Sequence, residues 1–427
     1  MLCMLQKIIR TFAWILAVLI LGILLAILFF KIPPVQDRIG WRLDAALTSL
    51  RGQADPAGDL PTAVPAPENP PPTPTRTPAE TAIPTRTPAA AYLLKPAAVP
   101  AKTQPPVPSK YSLNAPAFEF QDWNNCGPAV LSMYLRYYGW EGDQNDIAGE
   151  IKPVRSDRNV NIDEMEYFVN TQAGWLQSEY RVGGSVEQLK RLISAGIPVM
   201  VEVGFLLDEN DPGLRHDDDR WTGHYLLITG YDNTRLVFTA QNVFVGPDQQ
   251  VSYLDLEENW SAFNHVFMIL FTPDQETLVQ EILGEDWDPE SNRQRALLAS
   301  QDETITSPDN AFAWFNFGTN LLYFNRYSEA TRAYDRARQL GLPQRMLRYQ
   351  FGPFIAYFHS NRLDELMALV EFALKITPNS QEALLWQGWG LFRQNNRQGA
   401  LDSFKEALVE NPTYEDARYA INFLNQQ

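Results

Sequence analysis

Cysteine is almost absent from this chain. Only Cys3 and Cys126 occur in 427 residues, on opposite sides of the first hydrophobic segment, so a disulfide framework is excluded and Cys126 is expected to stay a free thiol. Histidine is scarce as well. His216, His224, His265 and His359 show no paired spacing of the zinc-binding kind, and neither a metal nor another cofactor is expected. Positive charge is also short: 35 Lys and Arg stand against 51 Asp and Glu, a net charge of −16. That leaves no basic stripe to neutralise phosphates and argues against a nucleic-acid partner. Apolar residues are plentiful. At 45%, with 12% aromatic, they suffice for packed cores in a chain long enough for two or three domains.

The longest uncharged apolar run is residues 11–30, flanked by Lys7 and Arg10 before and Lys31 after. Its length spans a bilayer as a helix. Phe29-Phe30-Lys31-Ile32-Pro33 follows it instead of the small residues of a cleavage site, which favours an uncleaved signal anchor over a signal peptide. Arg38, Arg42 and Arg51 lie beyond the run and weaken the charge asymmetry, but the N-inside, C-outside orientation is the preferred one. Residues 55–108 are rich in Pro, Thr and Ala, with Thr75-Arg76-Thr77-Pro78 nearly copied as Thr85-Arg86-Thr87-Pro88. So much proline permits neither helix nor sheet interior and predicts an extended, semi-rigid stalk holding the folded part away from the membrane, outside the cytoplasm.

The composition turns globular from Tyr111. Gln121-Asp122-Trp123-Asn124-Asn125-Cys126-Gly127-Pro128-Ala129 opens an apolar segment, residues 130–138, that reads as a helix. A thiol at a helix start feels the partial positive charge of unpaired amides and is expected to ionise more easily than a free cysteine. Gly127 leaves room for close approach, Pro128 suits the first helical turn, and Gln121 is placed to aim its amide at an oxyanion beside Cys126. The plainer reading is a buried cysteine beginning a core helix. Helices are predicted over 162–170 and 185–195, then strands over 197–204, 224–231, 235–241 and 266–271. Helices first and strands afterwards indicate an α+β domain with an antiparallel sheet.

A cysteine nucleophile needs a base, and the base an orienting partner. His224 opens the apolar strand after Gly223, so its imidazole projects from a strand end. One turn and one returning strand later comes Gln241-Asn242, which brings Asn242 within reach of the distal ring nitrogen. The other polar residues have plainer accounts. His216 sits in a solvated loop, residues 208–219, with Asp217, Asp218 and Asp219, where a lid or a cation site is the rival reading. Asp232 belongs to turn chemistry, and His265 and His359 read as structural.

From about residue 311 the sequence repeats with a period near 34. Gly318, Ala330, Tyr334 and Ala337 correspond to Gly388, Ala400, Phe404 and Ala407, the last unit closing at Pro412. A middle unit supplies Phe354, Leu366, Ala373 and Pro378, and residues 273–306, with Trp287, read as a cap. The pattern resembles the tetratricopeptide repeat, with small residues where paired helices touch and aromatics between them. Trp314, Tyr323, Phe324, Trp386 and Trp389 lie at repeat positions and read as core rather than a ligand box, while an exposed subset on the concave face would suit peptide binding.

The ordered set Gln121, Cys126, His224 and Asn242, within Gln121 to Ala129, Gly223-His224-Tyr225-Leu226-Leu227-Ile228-Thr229-Gly230-Tyr231-Asp232 and Ala240-Gln241-Asn242, resembles the papain-like cysteine peptidases. More closely it resembles the bacteriocin-processing, double-glycine leader peptidase family and its stand-alone relatives. The likeness covers about residues 111–271. It implies Cys126 as nucleophile, His224 as general base and then acid, and Gln121 as oxyanion donor. In that family the third position is usually Asp. Asn242 orients the ring but stabilises the imidazolium less.

The expected division is therefore a short segment at 1–10, a transmembrane signal anchor at 11–30, a juxtamembrane segment at 31–54, a Pro/Thr-rich linker at 55–108, a papain-like peptidase domain at 109–272 and an all-α repeat solenoid at 273–427. The expected activity is hydrolysis of peptide bonds by a single-pass cell-membrane protein whose repeats recruit a protein partner or substrate. The alternative is a catalytically weak or inactive peptide-binding scaffold. No phosphate-binding Gly-Lys-Ser/Thr loop accompanies these parts, so a transporter, if one is involved, is a separate chain.

Overall fold

The structure, a computed structural model, describes residues 14, 16, 18–22, 46, 47, 50, 51, 53–56, 58–63 and 106–426, apart from 153, 155, 156, 158, 212, 213 and 215–217. Most of the expected anchor and of the linker, together with His216 and Asp217, lies outside the described residues. Residues 14, 16 and 18–22 are helical. Among the described residues no helix is long and apolar enough to cross a membrane.

Among the described residues seven antiparallel strands form the scaffold: β1 (Lys110–Ser112), β2 (Gln177–Arg181), β3 (Val199–Leu206), β4 (Trp221–Asp232), β5 (Val237–Asn242), β6 (Gly246–Ser252) and β7 (Phe267–Phe271). Their order is β2-β7-β3-β4-β5-β6, with β1 laid on the far end of β4. One face of the sheet, including Met200, Tyr225, Leu227 and Leu270, packs on α1 (Cys126–Tyr137) and α3 (Ile162–Gln172). The short α2 (Gln144–Ile151) starts from an Asp143 capping box beside them. The opposite face, with Val201, Val203, Leu226 and Ile228, packs on α4 (Val186–Ser194), α5 (Tyr253–Ser261) and α6 (Glu276–Leu283). The predicted helices and strands occupy their expected stretches within a few residues. Strands β1, β2 and β6 and helices α2, α5 and α6 are additions. The β6 sequence Gly246-Pro247-Asp248-Gln249-Gln250-Val251-Ser252 is too polar to announce a strand, and it holds an exposed edge where pairing on one side suffices.

Beyond the sheet the chain is helical: α7 (Pro289–Thr306), α8 (Ala311–Tyr323), α9 (Tyr327–Leu340), α10 (Met346–Tyr349), α11 (Gly352–His359), α12 (Leu363–Ile376), α13 (Gln381–Arg393), α14 (Arg397–Glu410) and α15 (Glu415–Asn425). The repeat signature has a direct steric basis. A Cβ on Gly318 would stand 2.8 Å from the Tyr334 ring, and one on Gly388 would stand 2.3 Å from Phe404, so only glycine lets these helix pairs close on their aromatics. This helical region resembles tetratricopeptide repeats. Trp389 packs against Phe404 at 5.1 Å and Trp386 against Phe358 at 5.5 Å, whereas Tyr323 lies half-exposed under the Arg293 guanidinium.

The two regions share a core. Trp221 of β4 stacks on Phe263 at 5.8 Å and meets Phe312 and Tyr349 of the helical region at 6.5 and 5.9 Å. Arg345 forms a buried ion pair with Asp218 and donates to the Trp221 carbonyl at 2.8 Å. Asn264 and Asn320 exchange side-chain hydrogen bonds across the same junction. The linker expectation needs correction at its N-terminal end. Leu60 and Ala63 are buried, Arg338 donates to the Pro61 carbonyl at 2.9 Å and Lys375 pairs with Asp55 at 2.8 Å, so the start of the 55–108 stretch is docked on the helices. The physical reason is that its proline density begins further on, and Leu60 gains more from burial than from extension.

Candidate active site

Cys126 is the first residue of α1, and its setting is built by the turn before it. The Asn125 amide N–H donates to the Asp122 carbonyl at 3.1 Å, and Asn124 takes a left-handed φ of 55° to make the bend. Gln144 of α2 fastens this turn: its Oε1 accepts from the Asp122 amide at 2.7 Å and from Asn125 Nδ2 at 2.9 Å, and its Nε2 donates to the Phe120 carbonyl at 2.8 Å. Buried Lys152 donates to the Asn124 carbonyl. At Gly127 an added Cβ would lie 3.3 Å from Met165 and 3.5 Å from Tyr225, so the start of α1 sits close against the sheet.

The thiol does not ionise easily here. Burial pushes the Cys126 pKa up, while the Tyr225 backbone N–H, the Lys152 charge and the Gly127 N–H each pull it down by less, and nearby Glu202 adds to the rise. The expectation of an acidified thiol is thereby reversed. Desolvation of the sulfur outweighs the helix start that motivated it.

His224 and Asn242 are joined directly. Register places His224 opposite Val203, its ring 5.0 Å from Phe205 and 6.4 Å from Phe244, and its Nε2 lies 2.9 Å from Asn242 Oδ1. That same oxygen accepts the backbone N–H groups of Phe244 at 3.0 Å and Val245 at 3.2 Å. Backbone amides only donate, so the amide cannot be turned to present its NH2 to them. The oxygen therefore faces Nε2, Nε2 carries the proton, and Nδ1 is left as the basic nitrogen. Burial lowers the His224 pKa to about 4, with the Asn242 bond acting to raise it. At neutral pH the site thus rests as a thiol and a neutral imidazole.

Gln121 lies beside this pair through its backbone, whose N–H donates to the Val243 carbonyl at 2.9 Å, while its side-chain Oε1 is buried with no hydrogen-bond partner. Cys126 meets the histidine strand at the peptide joining His224 to Tyr225, whose N–H points at the sulfur. Among the described residues no hydrogen bond links the Cys126 sulfur to the His224 ring. Of the other polar residues, Asp232 Oδ1 accepts the Thr234 and Arg235 amides in its turn, His265 Nε2 lies 3.3 Å from Glu257, and His359 stacks on Tyr327 at 4.4 Å. Among the described residues no cluster of three His, Cys, Asp or Glu side chains is placed to hold a metal.

A pocket opens beside the sulfur on the Tyr225 face, lined by Asn124, Cys126, Val160, Glu202, Tyr225 and Tyr349 among others. Register sets Glu202 opposite Tyr225. The Tyr225 hydroxyl donates to the Val160 carbonyl at 2.9 Å. Burial raises the Glu202 pKa to about 8, against a smaller lowering by the Tyr225 hydroxyl beside it. Asn124 Nδ2 is buried with no partner, which costs about 1–3 kcal/mol while it stays unmade. Sequence reasoning named none of Gln144, Lys152, Glu202 or Tyr349. The one legible signal was Glu202, a lone carboxylate inside the apolar strand Val199 to Leu206.

Residues 106–268 match the model of the Peptidase_C39 like family. Comparison with curated proteins gives no match. Solved structures similar in part include a chain described as a C39-like peptidase from Bacillus anthracis, 18% identical over 38% of this chain and 98% of that one, with a TM-score of 0.31. MamA is 12% identical over 32% of this chain and 79% of its own, at 0.29. YrrB, described as a TPR protein with an unusual peptide-binding site, is 18% identical over 30% and 82%, at 0.18.

Proposed function

We propose that the C39-like domain of this chain is a working cysteine peptidase, with Cys126 as nucleophile, His224 as general base and acid, Asn242 as the residue that orients it and Gln121 as an oxyanion donor. The observation that carries the reading is the locked Asn242 oxygen, which leaves His224 Nδ1 unprotonated and free to act as base. In the reaction the Cys126 sulfur attacks the peptide carbonyl carbon as its proton passes to Nδ1. The oxyanion takes hydrogen bonds from the Cys126 backbone N–H and the Gln121 side-chain amide. Nδ1 then protonates the departing amine, leaving an acyl-enzyme. Water, giving its proton to Nδ1, releases the acid and restores the thiol. Since both groups rest neutral, proton transfer accompanies attack and no ion pair waits in advance.

The anchor, linker and helices complete the proposal. The apolar run at 11–30 holds the chain in the cell membrane with its folded part outside the cytoplasm, and the repeat-like helices recruit a protein partner or substrate. A second reading, a scaffold that grips a peptide without cutting it, draws on the raised thiol pKa and on the missing hydrogen bond between Cys126 and His224.

The experiment that separates the two is labelling of the purified full chain with a peptidyl vinyl sulfone. Its β-carbon accepts the sulfur while its α-carbon takes up a proton, so the rate reports the acid–base partner as well as the thiol. We expect wild-type labelling between pH 5 and 8 and a rate on the order of a hundredfold lower in His224→Ala. Equal rates in the two proteins would support the scaffold.

A further inference from the structure

A short piece of chain from before the peptidase domain is seated on the helices, and its contacts lead to the candidate site. In Gly58-Asp59-Leu60-Pro61-Thr62-Ala63, Leu60 and Ala63 are buried, and the Gly58 and Pro61 carbonyls accept from Gln344 Nε2 at 3.0 Å and Arg338 Nε at 2.9 Å. Asp55 pairs with Lys375 of α12 at 2.8 Å, an exposed contact that adds little. The helices thus hold this backbone as a cleft holds a peptide, by its carbonyls and one large apolar side chain. The occupant is a segment of the same chain.

Gln344 is the joint between that segment and the peptidase domain. Besides holding Gly58, its Oε1 accepts the Asp219 amide at 3.3 Å and its own backbone N–H donates to Asp219 Oδ2 at 2.7 Å. Arg345, the next residue, pairs with Asp218 and donates to the Trp221 carbonyl, and Leu60 shares a buried apolar cluster with Trp221, Met346 and Leu347. These contacts flank α10, which is only 4 residues long. One turn of helix has little stability of its own, so its place is set by what grips its ends. At the far end of α10, the Tyr349 hydroxyl lies 2.6 Å from Thr222 Oγ1 and its ring stands where a Cβ on Gly223 would come within 3.2 Å. Tyr349 also lines the pocket that contains Cys126, which has room for about one water molecule. With α10 seated, no substrate side chain enters there.

We propose that residues 58–63 are an autoinhibitory strap: docked, they seat α10 and its Tyr349 wall against β4 and keep the Cys126 side of the site closed, and released, they let α10 withdraw and admit a substrate. The proposal rests on the peptidase reading above for what the opened site does. One leucine and a few hydrogen bonds oppose the entropy of ordering the segment, so docking is reversible and the wild type keeps part of its activity. The strap acts by shifting the balance between a closed and an open site.

The test compares the full wild-type chain with Leu60→Asp, which sets a charge where the leucine is buried. Proteinase K is expected to cut within residues 58–63 about tenfold faster in the variant, read by mass spectrometry. Hydrogen exchange at the Met346, Arg348 and Gln350 amides, which are hydrogen-bonded within and around α10, is expected to speed up with it. Labelling of Cys126 by a peptidyl vinyl sulfone, relative to the smaller iodoacetamide, is expected to rise about tenfold. Leu60→Ser should act in the same direction if the aspartate variant fails to fold, and Leu60→Met, which keeps the apolar contact, should match the wild type. A wild type cut at residues 58–63 as fast as Leu60→Asp would overturn the docked strap. A freed strap that leaves either the α10 exchange or the labelling ratio unchanged would overturn its hold on the site. Adding His224→Ala to Leu60→Asp judges the peptidase reading separately: labelling no slower than in Leu60→Asp alone would remove that reading, while proteolysis and exchange still decide the strap.

Discussion

Asn242 Oδ1 lies 2.9 Å from His224 Nε2 and also accepts the backbone amides of Phe244 and Val245. Three donors on one carbonyl oxygen fix which way the amide points, and through it which ring nitrogen of His224 carries the proton. Asn242→Ala removes that control, and vinyl sulfone labelling is expected to fall on the order of a hundredfold, as the ring loses its tautomer and its orientation. Asn242→Asp keeps the acceptor and adds charge, which stabilises the imidazolium. The acid limb of its pH profile is expected to move up from the wild-type value near 4, measured from labelling rates between pH 3 and 8.

Two buried groups give stability opposite pH dependences. His224 has a folded pKa of about 4, below its ordinary value, so between about pH 6.5 and 4 the unfolded chain binds a proton that the folded chain refuses. Stability is lost as the pH falls through that window. In His224→Gln the loss between pH 7 and 4 should be smaller by on the order of 3 kcal/mol, read from urea unfolding at the two pH values. Glu202, with a folded pKa of about 8, keeps a proton that the unfolded chain releases above its ordinary carboxylate range. Its contribution therefore declines as pH rises toward 8. Glu202→Leu should gain on the wild type between pH 5 and 8.

The glycine and aromatic pairs of the helical region predict a steric penalty. Gly388→Ala places a Cβ 2.3 Å from Phe404, a clash worth about 1–3 kcal/mol against at most about 1 kcal/mol of improved helix propensity. The double variant Gly388→Ala/Phe404→Leu should recover part of the loss, by unfolding in urea. A strictly additive pair would mean that the two residues do not touch.

Arg345→Met takes the guanidinium away from buried Asp218, which keeps the Arg220 amide on Oδ1, and is expected to cost up to about 3–5 kcal/mol. Neutralising both ends in Arg345→Met/Asp218→Asn should restore most of it. Hydrogen exchange is the second readout: amides around Trp221 should lose protection in the single variant, because the Trp221 carbonyl accepts from the same guanidinium.

The elements that local pattern specifies were legible in the sequence. Cys126 begins a helix, His224 lies on an apolar strand, and one returning strand brings Asn242 back, all within short stretches governed by caps, turns and alternation. The features that long-range register creates were not. Glu202 becomes a neighbour of Tyr225 only through the pairing of β3 with β4, and Tyr349 reaches the pocket from more than a hundred residues away. The direction of the Cys126 shift was missed for a related reason: a helix start is visible in sequence, but the burial of the sulfur depends on the whole sheet packing against α1. The docking of Leu60 depends in the same way on helices far along the chain.

The central claim, that Cys126 and His224 cut peptide bonds, is met most directly by incubating the full chain with a mixed synthetic peptide library and reading new termini by mass spectrometry, alongside Cys126→Ala and His224→Ala. Cleavage products that appear with the wild type and are absent with either variant are the predicted result. A folded wild type that yields no new termini, or cleavage that persists in Cys126→Ala, would contradict it.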